Sequence, residues 1–198
     1  MFRSLMSYPV EAVVALKVEE PEHGVTASHL RQEARVLQAL KEVKGVPILY
    51  GVTDSPPCAL VMTFCPGIPL SNYMSSSTAR TYLSALLVAC SILDKMHQRG
   101  VAHGSISAEH ILAAVGSLGE VTVSLVGFRQ ATEDADEITK KADVFRVSQL
   151  AYAMENVMTP DSDVFPRRGN LSLLLRDPGD LPRVALVLRS TLRRQDLT

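Results

Sequence analysis

The sequence predicts an α+β chain of two lobes, a small antiparallel sheet with one helix followed by a mainly helical half. Three observations predict it. Short runs rich in Val, Ala and Ile cluster before residue 65, apolar residues at helical spacing dominate after residue 77, and a Pro-, Gly- and Ser-rich stretch from Cys65 to Ser77 separates them. The division therefore falls between residues 1–65 and 66–198. With 198 residues, 46% apolar and 21% charged, the chain has ordinary globular composition and can build a substantial core.

In chain order, Val10 to Val18 is rich in Val and Ala with one lysine, Lys17, which suits a buried strand ending at Glu19-Glu20-Pro21. From His29 to Lys41 the residues Leu30, Ala34, Leu37 and Leu40 recur at helical spacing, with Ser28 as N-cap and Gly45 and Pro47 closing the element. Glu33 lies on the same stripe. A carboxylate among apolar neighbours is costly without a partner, and Lys17 is the candidate. Two short strands, Ile48 to Val52 and Ala59 to Phe64, flank the turn Asp54-Ser55-Pro56-Pro57.

Beyond the boundary, Thr78 to Arg99 places Tyr82, Leu86, Ala89, Cys90, Leu93 and Met96 on one face of a long core helix, and Gly100 suits its C′ position. A loop from Val101 to Glu109 leads to two apolar runs, Ile111 to Val115 and Val121 to Val126, joined by Gly116-Ser117-Leu118-Gly119 as a hairpin. A polar segment from Arg129 to Lys141 precedes a helix from Ala142 to Met158, with Val144, Val147, Leu150, Ala151 and Met154 inward. Pro160 to Gly169 reads as loop, and Pro182 opens a last helix over Val184 to Leu192.

Bulk properties exclude several classes. Lys and Arg total 20 against 21 Asp and Glu, so no global field recruits nucleic acid or an anionic membrane. Cys58, Cys65 and Cys90 are odd in number and lack metal-finger spacing, which argues against a disulfide framework and for a reducing, cytoplasmic setting. The N-terminal residues show neither a signal-peptide core nor a spanning segment, so the Asn170-Leu171-Ser172 sequon is read as a chance match. His97, His103 and His110 lack the spacing of a zinc finger, and no metal site is expected. His-Gly-Ser-Ile-Ser around Ser105 is not a nucleophile elbow.

The order strand, helix, two strands, hinge, long helix, loop, hairpin, helix resembles a protein kinase, and particular residues carry the resemblance. Val14-Ala15-Leu16-Lys17 is similar to the family's third-strand motif, whose lysine holds nucleotide phosphates, and Glu33 matches its glutamate partner. Leu60 to Gly67 resembles the fifth strand and hinge, with Met62 gating the back of the adenine pocket and Cys65 offering backbone groups to adenine. Met96 to Ser105 resembles the end of the long helix and the catalytic loop, and Val126-Gly127-Phe128-Arg129 falls where the family has Asp-Phe-Gly. His103 and Phe128 take the structural positions of those motifs, and Asp143, opening the later helix, resembles the aspartate that braces the loop.

The resemblance also implies what is absent. Phosphoryl transfer needs a carboxylate to accept the substrate proton and metal ions to neutralise phosphate charge. Ser105 stands in place of the catalytic aspartate, Gly127 in place of the metal-binding aspartate, and His110 in place of the metal-binding asparagine. Met1 to Glu11 contains no glycine and is too short for the loop that covers the phosphates, and no Ala-Pro-Glu closes the segment after Arg129.

The fold implied is thus a reduced bilobal kinase-like one, a small antiparallel-sheet N-lobe with one αC-like helix and a mainly helical C-lobe. The function implied is that of an inactive regulatory or scaffolding domain. Its partner would be a protein, a genuine kinase or a kinase substrate being the natural candidates. Ala15, Lys17, Glu33, Met62 and Cys65 would line any surviving nucleotide pocket, with weak ATP binding left open and Mg²⁺ not expected. Two alternatives stay open, a nucleotide-binding transferase that works with nonstandard residues, and a decoy that inserts into a full kinase. Arg129, beside the lost metal site, is a candidate cation for a phosphate bound without metal. The acidic run from Glu133 to Glu137 reads as a solvated loop or a docking patch.

Overall fold

The structure, a computed structural model, describes residues 13–53, 55–157 and 171–193. The expectations for residues 1–12, Asp54, the Pro160 to Gly169 loop and Asn170 of the sequon lie outside the described residues. A first antiparallel sheet is formed by β1 (Val14–Val18), β2 (Leu49–Val52) and β3 (Ala59–Thr63), with β3 in the middle. Across β1 and β3, Ala15 faces Met62 and Lys17 faces Leu60. Because side chains alternate along a strand, these residues share one face of the sheet. The expectation of a strand buried on both sides is corrected here. Val14 and Leu16 remain 45% and 61% exposed, since α1 (Ala27–Ala39) covers the opposite face.

The start of α1 differs from the predicted one for a local reason. Thr26, not Ser28, is the N-cap: its hydroxyl accepts from the His29 amide, and His29 Nδ1 accepts from the Thr26 amide at 3.4 Å. Histidine thus performs the return half of a capping box that Glu or Gln usually supplies. Glu19 fixes the approach to the helix, one carboxylate oxygen accepting from Ala27 N and the other from Cys58 N, each at 3.1 Å. The helix then buries Leu30, Ala34, Val36 and Leu37.

The second half is built on α2 (Ala79–Gln98), which buries the predicted stripe of Tyr82, Leu86, Ala89, Cys90, Leu93 and Met96. A second antiparallel sheet joins β4 (Ile68–Pro69), β5 (Ile111–Val115) and β6 (Val121–Leu125) in that order. The predicted hairpin is β5 and β6, in register from Ile111↔Leu125 to Val115↔Val121. The two-residue β4 lies inside the stretch read as a linker; it is too short to leave a periodic signal.

Helix α3 (Glu137–Val157) starts at Glu137 rather than at Ala142. The Asp136 carboxylate accepts from the Thr139 amide at 2.8 Å and its hydroxyl at 2.6 Å, so the polar segment caps and enters the helix. Asp143 therefore sits inside the helix and does not open it. Two further helices, α4 (Ser172–Arg176) and α5 (Leu181–Arg193), complete the described residues, with α5 packed on α2. One apolar core runs through both halves, from Leu30 and Leu37 on α1 to Leu93, Phe128, Val147 and Leu188. The result is the mixed architecture expected, a small sheet with one helix followed by a mainly helical part.

Candidate functional site

The sheet positions one buried ion pair. Lys17 Nζ donates to Glu33 Oε2 at 2.6 Å; the glutamate is 2% exposed and the lysine 30%. The partner that Glu33 requires on its apolar stripe is therefore Lys17, and the contact pins β1 to α1. Ala15 and Met62 lie half-buried on the same sheet face, with Met62 packed on the core. Cys65 follows β3 at the junction of the halves. Burial pushes its thiol up from the ordinary range, against the opposing effect of a hydrogen bond with Ser124, so it is a poor nucleophile.

A second cluster is organised by Asp143, which is 1% exposed. Its Oδ2 accepts from the His103 amide at 2.8 Å and from His97 Nε2 at 2.9 Å, and its Oδ1 accepts from the Gly104 amide at 3.0 Å. Three donors around one carboxylate satisfy a charge that would otherwise be costly to bury. His103, fully buried, donates from Nε2 to the Val126 carbonyl at 3.0 Å, and its ring meets Phe128 at a centroid distance of 4.9 Å. Burial pushes the imidazole down to about 4, against the pull of the Asp143 charge, and the ring is neutral at pH 7. The turn Phe128–Gln130 packs in turn on α1, so the loop, the hairpin and the helix that carries Glu33 form one connected body.

Gly104 belongs to this body for a steric reason. Its φ is +76°, and a Cβ there would stand 2.4 Å from the Gln130 carbonyl oxygen. Only glycine admits that approach. The loop is thereby held against the strand-to-helix connection by backbone contact.

The third cluster holds the substituted positions. Ser105 Oγ donates to the Gly127 carbonyl at 3.3 Å, and His110 Nδ1 donates to the Ser105 carbonyl at 2.5 Å with the Ser107 hydroxyl 3.2 Å away. Because a carbonyl only accepts, Nδ1 of His110 is the donor in that bond. The structure brings Ser105, His110 and Gly127 together. A magnesium ion would need hard oxygen ligands here. Position 127 offers no side chain, position 110 one imidazole, and Ser105 turns its hydroxyl onto backbone, so the residues present do not fit that ion. Among the described residues no group of three His, Cys, Asp or Glu side chains is arranged to hold a metal.

Sequence reasoning did not assign the partners of two contributors. His97 is the third partner of Asp143, and its signal, a histidine on an otherwise apolar helix face, indicates burial but not with whom. Glu19 is the clamp between strand and helix described above. Arg129 Nη2 lies 3.7 Å from where a Gly24 Cβ would be, so the guanidinium reaches toward the connection between β1 and α1.

No described helix is long and apolar enough to cross a membrane. A search of curated proteins returns no match. The family model for protein tyrosine and serine/threonine kinases matches residues 5–166. Taken with the sheet, the long helix and the loop geometry, that match places the chain in the protein tyrosine and serine/threonine kinase family.

Proposed function

We propose that this chain is a catalytically inactive member of its family, a regulatory or scaffolding domain that acts by binding a protein, with a genuine kinase or a kinase substrate as the partner class. One observation carries the reading. The three positions that would supply the base and the metal ligands hold a hydroxyl, an imidazole and a glycine, and the hydroxyl and the imidazole are each turned onto a backbone carbonyl within the cluster. A neutral serine hydroxyl cannot serve as an anionic base near pH 7, and without a metal the phosphate charge has no counter-ion of comparable strength. Each such loss costs orders of magnitude in rate, and together they leave no efficient route for transfer. The free cysteines Cys58, Cys65 and Cys90 agree with a cytoplasmic setting.

A radiolabelled phosphate-transfer assay with Mg²⁺ and Mn²⁺ tests the reading. The expected result is no transfer above background; turnover that disappears in Lys17→Ala would overturn it. The Lys17–Glu33 pair at 2.6 Å favours a second reading in which the domain still binds nucleotide. Under that reading ATP raises the thermal midpoint of the wild type and not of Lys17→Ala.

A further inference from the structure

Gly127 has φ 82° and ψ 46°, in the left-handed region. Aspartate and asparagine enter that region more readily than other residues with side chains, so the backbone alone does not demand glycine. The surrounding space does. A Cβ at position 127 would stand 2.5 Å from His110 Cδ2, 2.8 Å from Nε2 and 3.1 Å from Cγ. Non-bonded carbons in contact stand about 3.5–4.0 Å apart, so the imidazole fills the volume that any side chain at 127 must enter.

The ring is also held there. Nδ1 donates to the Ser105 carbonyl at 2.5 Å, the His110 amide donates to the Ser107 carbonyl at 3.1 Å, and the His110 carbonyl accepts from the Val126 amide at 2.9 Å. Swinging the imidazole aside breaks the first of these bonds, and moving its backbone strains the other two. The ring's place is therefore set by the residues that immediately precede Gly127 as well as by its own loop.

We infer that His110 is the residue that closes the metal position: its imidazole takes the volume of a side chain at 127, so the two substitutions form one steric unit that excludes a divalent cation. The inference rests on the reading of the chain as an inactive kinase-family domain and specifies its ligand. An anion that enters the cleft does so free, not as its magnesium complex.

Thermal unfolding of the full chain tests the coupling. Gly127→Ala adds only the Cβ and lowers the midpoint by about 5 °C or more. In Gly127→Ala/His110→Ala most of that loss attributable to position 127 is recovered, because the clash has gone while the backbone strain remains. Strictly additive losses overturn the inference.

A second arm reads the metal. In the wild type, ATP with Mn²⁺ shifts the midpoint no more than ATP with EDTA, and an extra Mn²⁺-dependent rise in His110→Asn/Gly127→Asp supports the assignment. The same rise in the wild type overturns it while leaving the functional reading intact. Phosphate transfer by the wild type would instead remove the functional reading, and the coupling between 110 and 127 would be judged on its own result.

Discussion

Around Asp143 a buried carboxylate receives three donors, two of them backbone amides of the loop, and the neighbouring imidazole meets Phe128 at a tilted angle. Around Gly127, an alcohol and an imidazole bond to carbonyls, and none of positions 105, 110 and 127 carries a carboxylate. The first region braces backbone; the second, on the reading proposed above, is where the family's base and metal ligands are replaced. The contrast teaches that the two sets of groups answer to different energies. A brace such as Asp143 contributes to folding whatever the protein does, because removing it strands buried donors. A base and metal ligands add little to folding, and buried without their ion they cost free energy. On the proposed reading, that difference is why the frame outlasts the chemistry.

The largest effect is expected from Asp143→Ala. It strands the His103 and Gly104 amides and leaves His97 without its acceptor, which should cost about 3–5 kcal/mol in urea unfolding. A cost below about 1 kcal/mol, the ordinary value of one neutral hydrogen bond, would erase the contrast between the two regions.

The next effect is on pH dependence. Burial holds His103 down at about 4, while the unfolded chain takes up that proton near 6.5. Between those values the unfolded state binds more protons, so stability is complete above about pH 6.5 and is lost as pH falls toward 4, by up to roughly 3 kcal/mol. Denaturant midpoints across that window check the sign. His103→Phe, although less stable at neutral pH through loss of the Val126 bond, should flatten that limb; an unchanged slope would assign the acid sensitivity elsewhere.

Much of the frame was legible because it rests on periodicity and on one electrostatic necessity. Leu30, Ala34, Leu37 and Leu40 announced a helix, and Glu33 among them announced a partner, which the structure supplies in Lys17. The starts of α1 and α3 were not legible, since both are set by side chains that precede the apolar stripe: Thr26 with His29, and Asp136 with Thr139. The identities at 105, 110 and 127 could be read off the motif register. Their contacts could not, because Ser105 meets Gly127 and Asp143 meets His97 across separations that only the tertiary fold closes. The exposure of Val14 and Leu16 was hidden for the same reason, as a strand's sequence does not say which faces are covered.

The smallest expected effect concerns the ion pair, and it is asymmetric. Glu33 is 2% exposed, whereas Lys17 is 30% exposed and can turn its ammonium to water on its flexible stem. Lys17→Met therefore leaves a buried carboxylate without its counter-charge, while Glu33→Gln leaves a cation that solvent can satisfy and an amide oxygen that still accepts. The first should cost about 2–3 kcal/mol and the second about 1 kcal/mol or less, the pair's gross strength being reduced by solvent at the lysine end. Urea unfolding of both variants measures the difference. Equal costs would mean that the pair stabilises by mutual attraction alone; the unequal costs expected here would mean that Lys17 matters to the fold chiefly because Glu33 is buried, which holds with or without nucleotide in the cleft.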